Sequence, residues 1–257
     1  IYAQYDASQT DVFLKTLKLN GEIAHWVLST SDFQCFANEL KTLNHRFTLS
    51  SLFRITPDSL KIYNFKLHSD NEDFMLMCDG LMARKNGKFH DALLNVERLV
   101  ASEHLLKNVQ TVLNDQGVRV PSIQYDGFEL KGRMKYASDT CGWLQLNYQS
   151  EAGAVDADLE LKKTRMNGAI AVQSLNIARI LKRDSLPTLL DADVDLNLNF
   201  TDKKIPVGTI HCTIPQVIFK NYPYKNINID FNHDHRNLVA SVLSDDHNAA
   251  LNIQVVS

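Results

Sequence analysis

Residues 193–200 read Asp-Val-Asp-Leu-Asn-Leu-Asn-Phe, with an apolar residue at every second position. This period constrains the fold more than any other feature of the chain. On a helix, Val194, Leu196, Leu198 and Phe200 would scatter around a cylinder; on a strand they share one side. The device returns at Leu144, Leu146 and Tyr148, at Val155, Ala157, Leu159 and Leu161, at Ile227, Ile229 and Phe231, and at Leu251, Ile253 and Val255. One apolar and one polar face is the pattern of an antiparallel sheet with one side wet.

Clusters of turn-forming residues divide these runs: Lys85-Asn86-Gly87-Lys88, Ser138-Asp139-Thr140, Glu151-Ala152-Gly153, Met166-Asn167-Gly168, Asp234-His235-Arg236-Asn237 and Asp245-Asp246-His247-Asn248. Asn, Asp and Gly tolerate positive φ and close tight hairpins. Strands joined in series by such turns predict a meander rather than a βαβ fold. Three stretches instead carry helical spacing: 31–43 (Phe33, Phe36, Leu40, Leu43), 101–114 (Leu105, Leu106, Val109, Val112, Leu113) and a shorter one at 174–183. The expected fold is mainly β, an antiparallel sheet with a few short helices. A break near 117–124 divides it into segments 1–118 and 119–257. The runs opening at Tyr125 and Tyr224, with a fainter one at Ser59, echo one another as strand units.

Bulk properties exclude several classes. Lys plus Arg is 27 against 30 Asp plus Glu, so no electrostatic footprint for nucleic acid exists. No run of about 18 apolar residues is present to cross a bilayer as a helix. The first residues have neither a basic nor an apolar signal region, and the last stop within an alternating pattern, so the chain is expected to be a piece of something longer. Cys35, Cys78, Cys141 and Cys212 form no CxxC pair. Most are expected to be free buried thiols; two disulfides are permitted but not required.

No catalytic motif stands out. Neither a phosphate-binding glycine loop nor a GxSxG elbow occurs. His233-Asp234-His235, with Asp245, Asp246 and His247 further on, is the densest set of potential metal ligands. A solvated hairpin turn explains it better than an ion does. Asp156/Asp158 and Asp191/Asp193/Asp195 alternate with apolar residues along strands, which reads as a wet face rather than an acid–base pair. Tyr222-Pro223-Tyr224 reads as a strand entry, where Pro is tolerated. No enzyme, cofactor or metal is therefore expected. The apolar stripes themselves fit two architectures. In a two-sheet sandwich they meet another sheet; on an open curved sheet they line a groove. The alternation alone favours the sandwich.

Several segments together resemble the TamB/AsmA-like family, in the form of TamB associated with Bacteroidetes-type bacteria. Thr30-Ser31-Asp32-Phe33 through Glu39-Leu40-Lys41-Thr42-Leu43, followed by Arg46-Phe47-Thr48-Leu49-Ser50, resembles a short family helix and its strand. Asp58-Ser59-Leu60-Lys61-Ile62-Tyr63-Asn64-Phe65-Lys66-Leu67 is similar to a recurring family strand. Tyr222-Pro223-Tyr224-Lys225-Asn226-Ile227, then Asp245-Asp246-His247-Asn248 and Leu251, looks like a later strand and turn, and Ile177-Ala178-Arg179-Ile180-Leu181 before Leu190-Asp191 also fits. The chain departs from the family at Ser51 and Asp230, where Gly is frequent, and at Ala37, where Pro is.

The resemblance implies a periplasmic segment of a protein anchored in the inner membrane, folded as a half-pipe of strands (a β-taco). It implies phospholipid acyl chains as the ligand, carried between the membranes, and an Omp85-type outer-membrane barrel as partner of the full-length protein. An alternative role is a scaffold that assembles outer-membrane or autotransporter proteins by β-augmentation. On this reading the candidate groove lining is Leu144, Leu146, Leu159, Leu161, Val194, Leu196, Leu198, Phe200, Ile227, Ile229, Phe231, Leu251, Ile253 and Val255.

Overall fold

The structure, a computed structural model, describes residues 18–33, 45–85, 88–115, 126–137, 142–200, 206–234, 237–246 and 249–256. Its strands are β1 (Leu19–Ser29), β2 (Arg46–Thr56), β3 (Ser59–Ser69), β4 (Phe74–Lys85), β5 (Lys88–Ala101), β6 (Phe128–Ala137) and β7 (Gly142–Ser150). They continue as β8 (Gly153–Lys162), β9 (Arg165–Gln173), β10 (Leu189–Asn199), β11 (Val207–Phe219), β12 (Tyr222–His233), β13 (Leu238–Asp246) and β14 (Ala249–Val256). All fourteen form one sheet in sequence order, and every neighbouring pair is antiparallel. The sheet is elongated, curved and not closed into a barrel.

Among the described residues the ladder uses every strand, leaving none for a second sheet, so the sandwich favoured by alternation alone does not form there. The accessible surface makes the same point: 17249 Å², against about 11,400 Å² for a compact monomer of 29.1 kDa. The sheet runs on across the break placed near residue 118, since β5 pairs with β6 from Asp91↔Ala137 to Ala101↔Phe128. Residues 116–125 themselves lie outside the described residues.

A line of bulges crosses the first strands. The register shifts between Ile23 and Trp26 in β1, Ser50 and Leu52 in β2, Ile62 and Phe65 in β3, and Val96 and Leu99 in β5. Bulges bend a strand and increase its twist. Aligned on adjacent strands, they bend the sheet along one line.

The helical segments also follow a rule. A 3-10 turn (Thr30–Phe33) follows β1, α1 (Glu103–Asp115) follows β5, and α2 (Ile177–Leu181) follows β9. In an antiparallel meander, strands four apart end on the same side, so all three inserts stand at one end of the sheet. Residues 34–43 of the first expected helix lie outside the described residues. The echoing runs fall at β3, the start of β6 and β12, which are not four strands apart. They therefore do not mark this spacing.

Burial concentrates beneath the helices. Ala101 and Leu105 are buried at α1, and Ala152, Ala178 and Ala192 at α2; Leu198 is the remaining buried apolar residue among those described. Ser102 caps α1, its Oγ accepting the Leu105 N–H at 3.1 Å. Asn176 caps α2 through Arg179 N–H. The Arg179 guanidinium then ties α2 to the sheet, donating to Asp126 at 2.8 Å and Glu151 at 2.7 Å.

One expected turn is misplaced. Met166-Asn167-Gly168 lies inside β9, and the β8–β9 turn is instead at Lys163-Thr164, with Lys163 at φ 52. Gly168 is in the strand at φ 154, opposite Leu159. A Cβ there would sit 2.1 Å from the Asp158 carbonyl oxygen. The glycine thus serves a close backbone approach, not a hairpin.

Candidate functional site: an uncovered apolar sheet face

Directly opposed residues of an antiparallel pair share a face, so the registers trace rows across the sheet. One row runs Leu144, Leu159, Gly168, Leu196, Ile210, Phe231, Ala240, Val255. In the other direction it continues through Met134, Leu94, Gly80, Ile62 and Phe53 to Gly21 of β1. A second row joins Leu146, Ala157, Ile170, Val194, Cys212, Ile229, Val242 and Ile253. A third holds five consecutive leucines, Leu49, Leu67, Leu76, Leu99 and Leu130, then Tyr148, Val155, Val172 and Ala192.

Every candidate lining residue within a strand whose side chain is described takes its place on this side. Leu161 and Leu198 share a row through Met166, and the side chain of Leu251 lies outside the described residues. Phe200 stands just past the end of β10 and is exposed. The sequence pattern identified the stripes on β7, β8, β10, β12 and β14. It missed the leucine row on β2–β6, because the bulges there shift the alternation from one strand to the next.

Fourteen strands at ~4.8 Å spacing span about 60 Å, and three same-face residues along a strand cover roughly 15 Å. The apolar strip is therefore on the order of several hundred Å², at or above the ~300–600 Å² of the largest patch on a typical monomer. No side chain among the described residues falls below 2% exposure. Among the described residues most row positions are half-covered by their own neighbours, while Ala192, at α2, and Leu198 are buried. Toward the end away from the helices, Ile55, Leu60, Met82 and Phe89 line a cavity of about 240 Å³.

The opposite face is a polar ladder. Arg133 Nε donates to Asn95 at 3.1 Å, Gln145 to Asp158 at 3.2 Å, and Asn147 to Asp156 at 2.5 Å. His211 and Asp230 pair at 2.6 Å. A shallow cavity of about 700 Å³ lies on this side, among Lys131, Arg133, Asp156, Asp158, Ala169 and Ala171. It exists because Ala169 and Ala171 are small where their neighbours are long. Asp156 and Asp158 are thus cross-strand partners on a wet face, which Asp193 and Asp195 share by register. Asp191 has a different task, accepting the Ser174 N–H at 2.7 Å.

Among the remaining polar groups singled out in the sequence, His233 and Asp246 have structural partners. His233 Nδ1 donates to the Pro206 carbonyl at 2.7 Å, and Asp246 accepts from the Tyr222 hydroxyl at 2.7 Å. His235 and His247 lie outside the described residues. Cys78 and Cys212 are free, half-buried and in the second apolar row. Burial foremost, then the nearby carboxylates of Asp79 and Glu97 for Cys78 and of Asp193 for Cys212, push both thiols up. They pack as small apolar residues within the row. Cys35 and Cys141 lie outside the described residues.

Fold and face together define an open, single-layer β-sheet protein with one apolar side. No helix among the described residues is long and apolar enough to cross a membrane. No family model, curated protein or solved structure matches the chain.

Proposed function

We propose that this chain is a periplasmic segment of a TamB-like bridge whose apolar sheet face carries phospholipid between the inner and outer membranes. One observation supports it above the others: one apolar row runs across all fourteen strands, two more lie beside it over part of that width, and no second layer of strands stands over them among the described residues. Covering apolar surface is favourable by roughly 25 cal/mol per Å². An acyl chain laid on such rows meets many similar contacts and no dominant one, so it is held yet free to slide. The polar ladder faces water on the other side. The order of the family-like segments in the sequence agrees with this reading. Within it, the full-length protein is anchored in the inner membrane and meets an Omp85-type barrel in the outer one, and the segment performs no chemistry.

Native mass spectrometry of the purified chain tests the proposal. Co-purified phospholipid is expected, and a photo-crosslinking residue at Leu196 should capture it while one at Asn197, on the polar face, should not. Equal capture at both positions, or at neither, overturns it.

A second reading, a scaffold for client strands, rests on β1. Among the described residues β1 pairs only with β2, so its other side offers backbone groups for β-augmentation. Proline placed along β1 should then abolish client binding and leave bound lipid unchanged.

A further inference from the structure

Three residues distant in sequence converge where an insert meets the sheet. His45 immediately precedes β2, Asp73 closes the β3–β4 turn, and His104 stands in the first turn of α1. One ring nitrogen of each histidine and one carboxylate oxygen of Asp73 all lie within 4.8 Å of one another. Asp73 Oδ2 is 3.0 Å from His104 Nδ1, and the two imidazoles meet edge to face with centroids 6.2 Å apart.

The cluster is built into the fold. His45 is only 5% exposed, and its Nε2 is buried without a hydrogen-bond partner among the described residues. A buried ring nitrogen left in that condition asks for a ligand. The Asp73 carboxylate is oriented from behind: Ser102 Oγ donates to Oδ1 at 2.6 Å, and Asn71 Nδ2 donates to Oδ2 at 2.6 Å. Such outer hydrogen bonds are what aim a ligating carboxylate. Asn71 Nδ2 also lies 3.3 Å from His45 Nδ1, so one side chain braces both.

We propose that His45, Asp73 and His104 form a binding site for one divalent transition-metal ion of the zinc type. Two imidazoles and a carboxylate suit zinc, whereas calcium and magnesium require sets of oxygen ligands. Metal–ligand bonds of ~2.0–2.1 Å in a tetrahedron place donor atoms roughly 3.4 Å apart. Asp73 and His104 already meet that spacing; the widest pair must close by the order of 1 Å. The fourth position falls to water. A bound ion would join the entry to β2, the β3–β4 turn and the start of α1, clamping an insert onto the end of the sheet.

Calorimetric titration of zinc alone into the full chain, after treatment with a chelator, tests the site. Saturable binding of one ion per chain is expected. His104→Ala removes an exposed ligand that no core packing depends on, and should weaken binding at least ~10-fold. His211→Ala, which removes an exposed histidine from the polar ladder, should leave binding unchanged. Cobalt should give a tetrahedral absorption spectrum in the parent chain that His104→Ala abolishes. Zinc binding that does not saturate, or that is equal in the parent and His104→Ala, overturns the assignment.

Discussion

The backbone N–H of Asn64 donates to Oδ1 of Asp79 on the adjacent strand at 2.7 Å, and Asn64 itself is left-handed at φ 49. Tyr63 and Asn64 are the extra residues of the β3 bulge, and Asp79 faces them from β4. Ser174 repeats the device at φ 51, its N–H held by Asp191. A carboxylate on one strand thus fixes a left-handed residue on, or just beyond, the strand before it. Asn64→Gly should leave the urea midpoint nearly unchanged. Asn64→Val forces a β-branched side chain into the same conformation and should cost about 1–3 kcal/mol. Asp79→Ala should cost about 1 kcal/mol.

The apolar face separates function from stability. Leu196 and Ile229 are half-exposed on adjoining rows. Replacing both by Asp should retain the β-type circular dichroism spectrum while removing co-purified phospholipid. Leu198, on the same face but 6% exposed, should behave differently. Leu198→Asp buries an unpaired carboxyl and should cost several times the ~1 kcal/mol of an ordinary substitution. If the double variant keeps its lipid, these rows are not the conduit.

Glycines in the sheet should divide by backbone. Gly208 has φ +142, and a Cβ there would lie 1.9 Å from the Asn197 carbonyl oxygen. Gly208→Ala should break the β10–β11 ladder locally, cost more than about 2 kcal/mol, and speed amide exchange in both strands. Gly80 has its nearest such atom at 3.9 Å. Gly80→Ala adds a methyl group between Ile62 and Leu94 and should stabilise by ~0.4–1 kcal/mol, read in the same denaturation assay.

Asp73 carries a pH dependence. Burial acts to raise its pKa, but hydrogen bonds from Ser102 and His104 and the charge of both histidines outweigh it, leaving the carboxyl below its ordinary value. A carboxyl that titrates lower in the folded chain contributes fully above its unfolded pKa of ~3.9 and loses that contribution as pH falls through the folded value. The parent chain should therefore exceed Asp73→Asn in thermal stability at pH 6. The gap should narrow below about pH 4 and close once pH is below both values. A gap that stays constant from pH 6 to pH 3 contradicts this.

Much of the fold was legible because the apolar alternation in the second half is regular in the sequence. Asp193–Phe200 and Asn226–Phe231 alternate without interruption, and both form strands with their apolar residues in register. The helix at Glu103–Asp115 announced itself through Ser102 and the spacing of Leu105, Leu106 and Val109. The leucine row was hidden because the bulges at Tyr63-Asn64 and Glu97-Arg98 change which residues face which way midway along a strand. The distinction between open sheet and sandwich was hidden for another reason. Val194 and Leu196 alternate identically whether they meet a second sheet or water, and only the unbroken pairing from β1 to β14 decides. The His45–Asp73–His104 cluster was invisible because its members come from three separate connections.

Inserts at every fourth strand have a mechanical consequence. Substantial contact runs only between strands adjacent in sequence, so stability accumulates pair by pair along one dimension. Separating two strands between inserts disrupts one ladder and spares the rest, while at the insert end Arg179 ties α2 to the start of β6 and the β7–β8 turn. The molecule is a hinged screen: its panels can part and reseal locally, at a free-energy cost far below that of global unfolding.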